Sequence, residues 1–248
     1  MNFDPKVFLD ALTSEGFRSG ALVAIALTAV SQLTAVVIGL VLAVMRESSV
    51  TVLRGASWTY VWIFRAIPTL VQLLFFWNAV PQLFPGLVRA DWYSPFVAAW
   101  IALSINEGAY MAEIVRGGLL AIDEGQRLAA RALGMPPLSV YRRVILPQLI
   151  RVIIPPTANE FITMLKITSL ASAISLQELL TYTQQSISIT FRFAEYYAAA
   201  AIYYLVIVSV FMAFQAWLER RFLWSSQRGG GERRFVTALR GIDRKSVV

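Results

Sequence analysis

The residues that could do chemistry in this chain are few, and most sit in apolar surroundings. Arg65, Glu107, Glu113, Arg116, Glu160 and Lys166 fall inside or at the edge of long hydrophobic stretches, with Tyr110 between two of the carboxylates. An ionised group at such depth is costly unless it pairs or lines a wet cavity. Carboxylates and a lysine there suit the passage of a polar solute better than a covalent reaction. The chain has no cysteine and no histidine. Disulfides, thiolate nucleophiles, imidazole bases and Cys/His metal sites are thereby excluded. No paired Asp motif or Ser-Lys arrangement replaces them, which disfavours a membrane-embedded enzyme. No catalytic residue, metal site or cofactor bound by this chain is expected.

The elements that must position these groups are helices in lipid. Of the 248 residues, 57% are hydrophobic and only 15% charged, where a soluble domain has about half and about a quarter. This is the composition of one all-α, multi-pass membrane domain. Five spans are expected, at about 20–45, 58–80, 96–121, 149–169 and 196–217. Each is long enough, at about 1.5 Å per residue, to cross a core of about 30 Å. Residues 1–19 read as an N-terminal extracytoplasmic segment and 223–248 as a basic tail. Asp4, Lys6, Asp10, Glu15 and Arg18 leave no early apolar run, so no cleavable leader is expected.

Three spans depart from a plain apolar helix. The second carries Arg65 and Pro68; the proline predicts a kink, and Arg65 either snorkels to the interface or faces a gate or path. In the third, Asn106, Tyr110, Glu113 and Gly117 share a helix face, and Glu113 and Arg116 are spaced to pair. That helix lines a path, or else it leaves the bilayer near Glu113. The fourth holds Pro155, Pro156, Asn159, Glu160 and Lys166. Such a span is tolerated where protein or water resolves its backbone and charges; the alternative is a peripheral segment. Residues 170–195 read as an external amphipathic stretch with one short helix. Tyr196, Tyr197 and Tyr203 at one end of the last span, and Trp217, Phe222 and Trp224 at the other, suit two aromatic belts.

Positive charge orients the chain. Loop 46–57 has Arg46 and Arg54, the block 122–150 has Arg127, Arg131, Arg142 and Arg143, and the stretch from Arg220 has eight Lys and Arg. The other loops have only Lys6, Arg18, Arg89 and Arg192. The positive-inside rule then puts the N-terminus outside and the C-terminus in the cytoplasm. It also accounts for the net charge of +7, so no nucleic-acid partner is expected.

One cytoplasmic block is too elaborate for a simple loop. Asp123 can cap a helix, with Gln126 three residues on as in a capping box. Leu128, Ala129, Ala132 and Leu133 fall on one face, Arg127 and Arg131 on another. Gly134 suits a left-handed stop. Pro136 and Pro137 bar continuation, and one can open a second piece over about 138–146 that ends at Pro147. From periodicity alone, contact with lipid headgroups and contact with a partner protein are equally served.

The stretch GQRLAARALGMPPLSVYRRVILPQ (125–148) resembles the EAA motif of ABC importer membrane subunits. That pattern is Glu-Ala-Ala, a following Gly, and an aliphatic-x-Leu-Pro ending. Ala129, Ala130, Gly134, Val144, Leu146 and Pro147 match it; Leu128 stands at the acidic position. FRAIPTLVQL (64–73), GAYMAEIVRGGL (108–119), LPQLIR (146–151) and LKITSL (165–170) are similar to the polar amino-acid permease branch. The resemblance covers about 20–217. It implies a type I importer permease fold with five transmembrane helices, in the bacterial inner (cell) membrane, working by alternating access. It implies that 123–134 is a coupling helix on which Asp123, Gly125, Gln126, Leu128, Ala129, Ala130, Leu133 and Gly134 meet a cytoplasmic ATPase. ATP and Mg would belong to that ATPase, and no GxxxxGK[ST] phosphate loop occurs here. A second permease subunit, an extracytoplasmic substrate-binding protein and membrane lipid are the other implied partners. Glu107, Tyr110, Glu113, Glu160 and Lys166 are candidates for the substrate path, and Arg65, Pro68 and Pro147 for gating or structure. The competing reading is a channel or scaffold that needs no ATP, with 123–147 lying on lipid.

Overall fold

The computed structural model describes residues 3–223, and all regular structure among them is helical. The helices are α1 Pro5–Thr13, α2 Glu15–Arg46, α3 Thr51–Ala66, α4 Thr69–Leu83, α5 Pro95–Leu120, α6 Glu124–Ala132, α7 (137–167), α8 Leu179–Thr190 and α9 Phe193–Leu223. The basic tail from 224 onward, with Trp224, lies outside the described residues. By length and apolarity alone, α2 and α9 can cross a membrane, as can the α3–α4 pair if it counts as one broken span. Helices α5 and α7 carry the interior charges, and their apolar stretches are correspondingly diluted.

Hydroxyl and carboxylate caps set several helix starts. Ser14 Oγ accepts from Phe17 N–H to open α2, and Ser94 does the same for α5 through Val97 N–H, with Pro95 in the first turn. The first long helix begins five residues before the expected boundary. The N-terminal segment forms α1, which is tied to α9: Tyr203 Oη donates to Leu12 O, and Glu195 accepts from Asp4 N–H. Phe17 packs between Tyr196 and Tyr203. Those two tyrosines thus hold α1 and α2 against α9, and only Tyr197 of the expected belt is exposed.

Two proline expectations need correction. Pro68 does not kink one helix. Ile67 and Pro68 are extended, and α3 and α4 meet at 101°. The proline ring clashes with a continuing helix and its lost N–H removes a rung, and the residue before it is pushed to extended backbone. Pro147 is the reverse case. It ends nothing: the chain runs from Pro137 through a wide π-turn at Tyr141–Ile145 into Leu146–Ile167 as one continuous α7. Leu146 N–H reaches back to Tyr141 O, and this widened turn absorbs the donor that Pro147 lacks. Residues 81–95 are also less irregular than expected, with α4 running to Leu83 and a 3-10 turn at Pro85–Arg89.

The central contact joins α2 and α5. Gly39 of α2 lies so close to Met111 that a Cβ there would overlap the methionine Cβ, and a Cβ on Gly108 would come within 2.6 Å of Ile38. Leu27, Leu103, Ala98, Ala99 and Ala102 fill the buried cluster above. In lipid there is no hydrophobic drive between helices, so close backbone approach through small residues supplies the attraction. Gly20 does the same for the stretch 170–195. The backbone of Glu178 and Leu179 rests on it, 2.7 Å from where a Cβ would stand.

Glu178 is fully buried and caps α8. Its carboxylate accepts from Leu180 N–H, Thr181 N–H, Thr181 Oγ1 and Tyr204 Oη. Burial nonetheless pushes its pKa above the ordinary glutamate value, against those hydrogen bonds.

Two outcomes follow. Gly39→Leu overpacks the α2–α5 contact and costs about 1–3 kcal/mol or more, whereas Gly55→Ala, with open space around it inside α3, stabilises by about 0.5–1 kcal/mol; thermal unfolding in detergent measures both. The native state binds the Glu178 proton more tightly than the unfolded chain. Stability therefore falls as pH rises above about 4.3, the unfolded value. Glu178→Gln flattens that part of the pH–stability curve.

Candidate functional site: the exposed α6 segment and the carboxylates behind it

The α6 segment is built as the sequence suggests, with one exception. Asp123 Oδ1 accepts from Gly125 N–H at 2.8 Å. Asp123 is a plain N-cap and not a capping box: Gln126 N–H goes to the backbone Asp123 O, and the exposed Gln126 side chain returns no hydrogen bond to Asp123 among those described. Glu124 and Arg127 lie 3.9 Å apart. Gly134 has φ +76°, the left-handed stop, while Gly134 N–H bonds Arg131 O and Met135 N–H bonds Ala130 O.

One small side chain seats this helix. Ala130 is buried against a cluster of Ala43, Val115, Ile122, Val140, Ile145 and Leu149, which joins the ends of α2, α5 and α7. Gly118 on α5 abuts Leu149 and Ile153 on α7, at 2.8 and 2.6 Å from its would-be Cβ. The two arms carrying the α6 segment are thereby locked together. Arg127 is half-buried, with its guanidinium over the Tyr141 ring at 6.0 Å, and the rest of α6 is exposed. Leu128 is 59% exposed and Leu133 82%, with Leu138 just beyond at 79%; Ala129 is exposed too. An apolar row of this kind on a polar helix marks an interaction surface.

The five path candidates separate into three places. Glu107 is 3% exposed and its Oε1 has no hydrogen-bond partner. Glu160, half-buried on α7, is the charged group that acts on it. Ser31 Oγ and Gln32 Oε1 on α2 and Ser104 Oγ on α5 are further buried acceptors without partners. Such groups are rare in packed interiors and call for a partner from outside the chain. Tyr110 and Glu113 lie nearer the α6 end, in a cleft of about 430 Å³ with Arg46, Trp58, Trp62, Arg65 and Arg116. There Glu113 Oε2 accepts from Arg116 Nη2 at 2.7 Å, and Arg65 stacks over the Tyr110 ring at 5.3 Å. Lys166 is exposed and makes no ion pair with these carboxylates among the described residues.

Gln72, which the sequence did not single out, and Asn106, noted there only for its helix face, hold the broken span. Gln72 Nε2 donates to Phe64 O and Ile67 O, and Asn106 Nδ2 donates to Phe64 O. They satisfy the carbonyls that Pro68 orphans, as a break inside a membrane requires. A polar Gln four residues after the proline was the available signal.

Residues 35–224 match the family described as "Binding-protein-dependent transport system inner membrane component". The arginine transport system permease protein ArgU of Corynebacterium glutamicum is 45% identical over 221 residues, covering 85% of this chain and 69% of that protein. The octopine transport system permease protein OccM of Rhizobium meliloti is 37% identical over 232 residues, 89% and 93% of the two chains. The glutamine transport system permease protein GlnP of Escherichia coli K12 is 38% identical over 185 residues, 75% and 83%. Among solved structures, a chain of an amino acid ABC transporter crystallised with histidines superposes with TM-score 0.80 at 36% identity, over 89% of this chain and all of that one. A chain of the MetNI methionine ABC transporter in an inward-facing conformation shares the fold, with TM-score 0.70 at 21% identity over 85% and 99%. The chain belongs to this family of inner-membrane components: it is a permease subunit of an ABC importer. The all-helical fold is that of ABC importer permeases.

Proposed function

We propose that this permease carries polar amino acids inward, driven by a separate cytoplasmic ATPase that grips the α6 segment. The observation that carries the reading is the set of exposed leucines, Leu128 on α6, Leu133 at its end and Leu138 just beyond, on a segment seated chiefly by Ala130. A rigid, capped and unpartnered element suits a handle pulled by another protein. The sequence has no phosphate loop of its own, so ATP and Mg are assigned to the ATPase. Leu128, where the motif has an acid, makes the contact apolar at that point.

Five membrane crossings are assigned to α2, the broken α3–α4 pair, α5, α7 and α9, with the N-terminus outside and the C-terminus in the cytoplasm. The subunit works with a second copy or a sister permease, and an extracytoplasmic binding protein delivers substrate. Glu107 and Glu160 line the path and attract the ammonium of an amino acid or the cationic side chain of a basic one. Tyr110 and Glu113 continue the path toward α6, and Lys166 borders it beside the second subunit. Arginine transport by the Corynebacterium relative and octopine transport by the Rhizobium relative favour the basic class. Rocking of the two halves then gives alternating access.

The test uses the complete transporter in vesicles, with substrate-loaded binding protein. Arginine stimulates ATP hydrolysis and uptake more than glutamine does. Gly134→Val forces a branched residue into φ +76°, at about 1–2 kcal/mol, and displaces the end of the handle. Uptake falls about tenfold or more while assembly of the membrane subunits survives. Wild-type uptake by the variant contradicts the handle.

A further inference from the structure

We propose that the cleft beside the broken span is a binding site for a phosphate group, carried by an anionic phospholipid or free in solution. It rests on the membrane placement proposed above for α2 and α3. Its walls bring guanidinium groups from three helices to one cavity of about 430 Å³: Arg46 at the end of α2, Arg65 on α3 and Arg116 on α5. The cleft holds a single carboxylate, Glu113, and Arg116 occupies it with two hydrogen bonds, at 2.7 and 3.0 Å. Among the described residues, Arg46 and Arg65 have no ion pair. Arg46 Nη1 is buried and makes no hydrogen bond at all. Arg65 is held in place by its stacking on Tyr110, which leaves its donors available. Two guanidinium groups lining one cavity, one of them held over Tyr110, with a net positive lining, match the oxygens of a phosphate.

The outer wall says where such a phosphate would come from. Trp58 and Trp62 stack with ring centres 6.0 Å apart, and both are more than half exposed. Exposed tryptophans on a membrane helix favour headgroup depth, and these two lie about one turn apart within α3. Arg46 is the last residue of the most apolar helix, so the cleft opens where lipid phosphates lie. The buried carboxylates Glu107 and Glu160 are not among its walls, whereas Tyr110 and Glu113 are, so the site adjoins the α6 end of the proposed path.

The experiment reconstitutes the complete transporter into nanodiscs of phosphatidylcholine with and without phosphatidylglycerol. It reads the thermal midpoint and, by native mass spectrometry, the lipid retained after detergent transfer. The wild type retains phosphatidylglycerol over phosphatidylcholine and is stabilised by it. Arg46→Gln and Arg65→Gln lower that retention about tenfold, whereas Arg54→Gln, on α3 and outside the cleft, leaves it unchanged. Inorganic phosphate at matched ionic strength is the second arm. If it alone raises the wild-type midpoint, and not that of the variants, the site takes free phosphate. Should neither probe bind the wild type preferentially, or should both Arg→Gln variants bind as the wild type does, the assignment is overturned. The wild-type comparison stands even where a variant fails to assemble.

Discussion

The close approach of α2 and α5 is the contact on which the rest of the molecule depends. Gly39 admits Met111, and Gly108 admits Ile38. Two helices that touch backbone to backbone behave as one stiff body in lipid, where dispersion and not water exclusion holds helices together. That body fixes Glu107 in the interior, and it fixes the end of α5 from which the α6 segment departs. Under the proposed coupling, a displacement at α6 would pass to α5 and on to α2 through close packing. Gly118 against Leu149 and Ile153 closes the other side, so both arms of the segment move together.

Stiffness at that end contrasts with deliberate breakage elsewhere. At Pro68 the helix is cut, and Gln72 and Asn106 replace the lost backbone partners with side-chain amides. At Pro147 the helix is only widened, because a π-turn precedes it. The same residue type gives opposite results according to what surrounds it. Where neighbouring amides can satisfy orphaned carbonyls, a break is tolerated; where the preceding turn can loosen, the helix continues. The buried, partnerless acceptors on α2 and α5 belong to the same picture of an interior that is not a sealed core.

The helical class, the family and the shape of the α6 segment were legible in the sequence, because each rests on local chemistry. Asp123, Gly134 and Pro137 act within their own turn, and the structure places them as cap, left-handed stop and first helical residue. The Glu113–Arg116 pair was legible for the same reason. What spacing could not supply is anything that depends on a distant partner. The 101° bend at Pro68 needs Asn106 from another helix. The role of Tyr196 and Tyr203 in holding α1 needs Phe17 and Leu12. Glu178 looks like an ordinary surface glutamate until Gly20 lets its backbone settle onto α2. The outward direction of Leu128 and Leu133 likewise follows from which face Ala130 buries, and both faces of α6 carry alanine.

The account turns on what covers that outward face. The chain has no cysteine, so Leu133→Cys supplies a single thiol at its most exposed point. A short photoreactive group placed there, in membranes that also hold the ATPase, should form an adduct joining this chain to the ATPase. The same group at Val37, on the exposed face of α2, should give none. If position 133 reacts only with lipid while the ATPase is bound and active, α6 is not the handle, and the central claim is wrong.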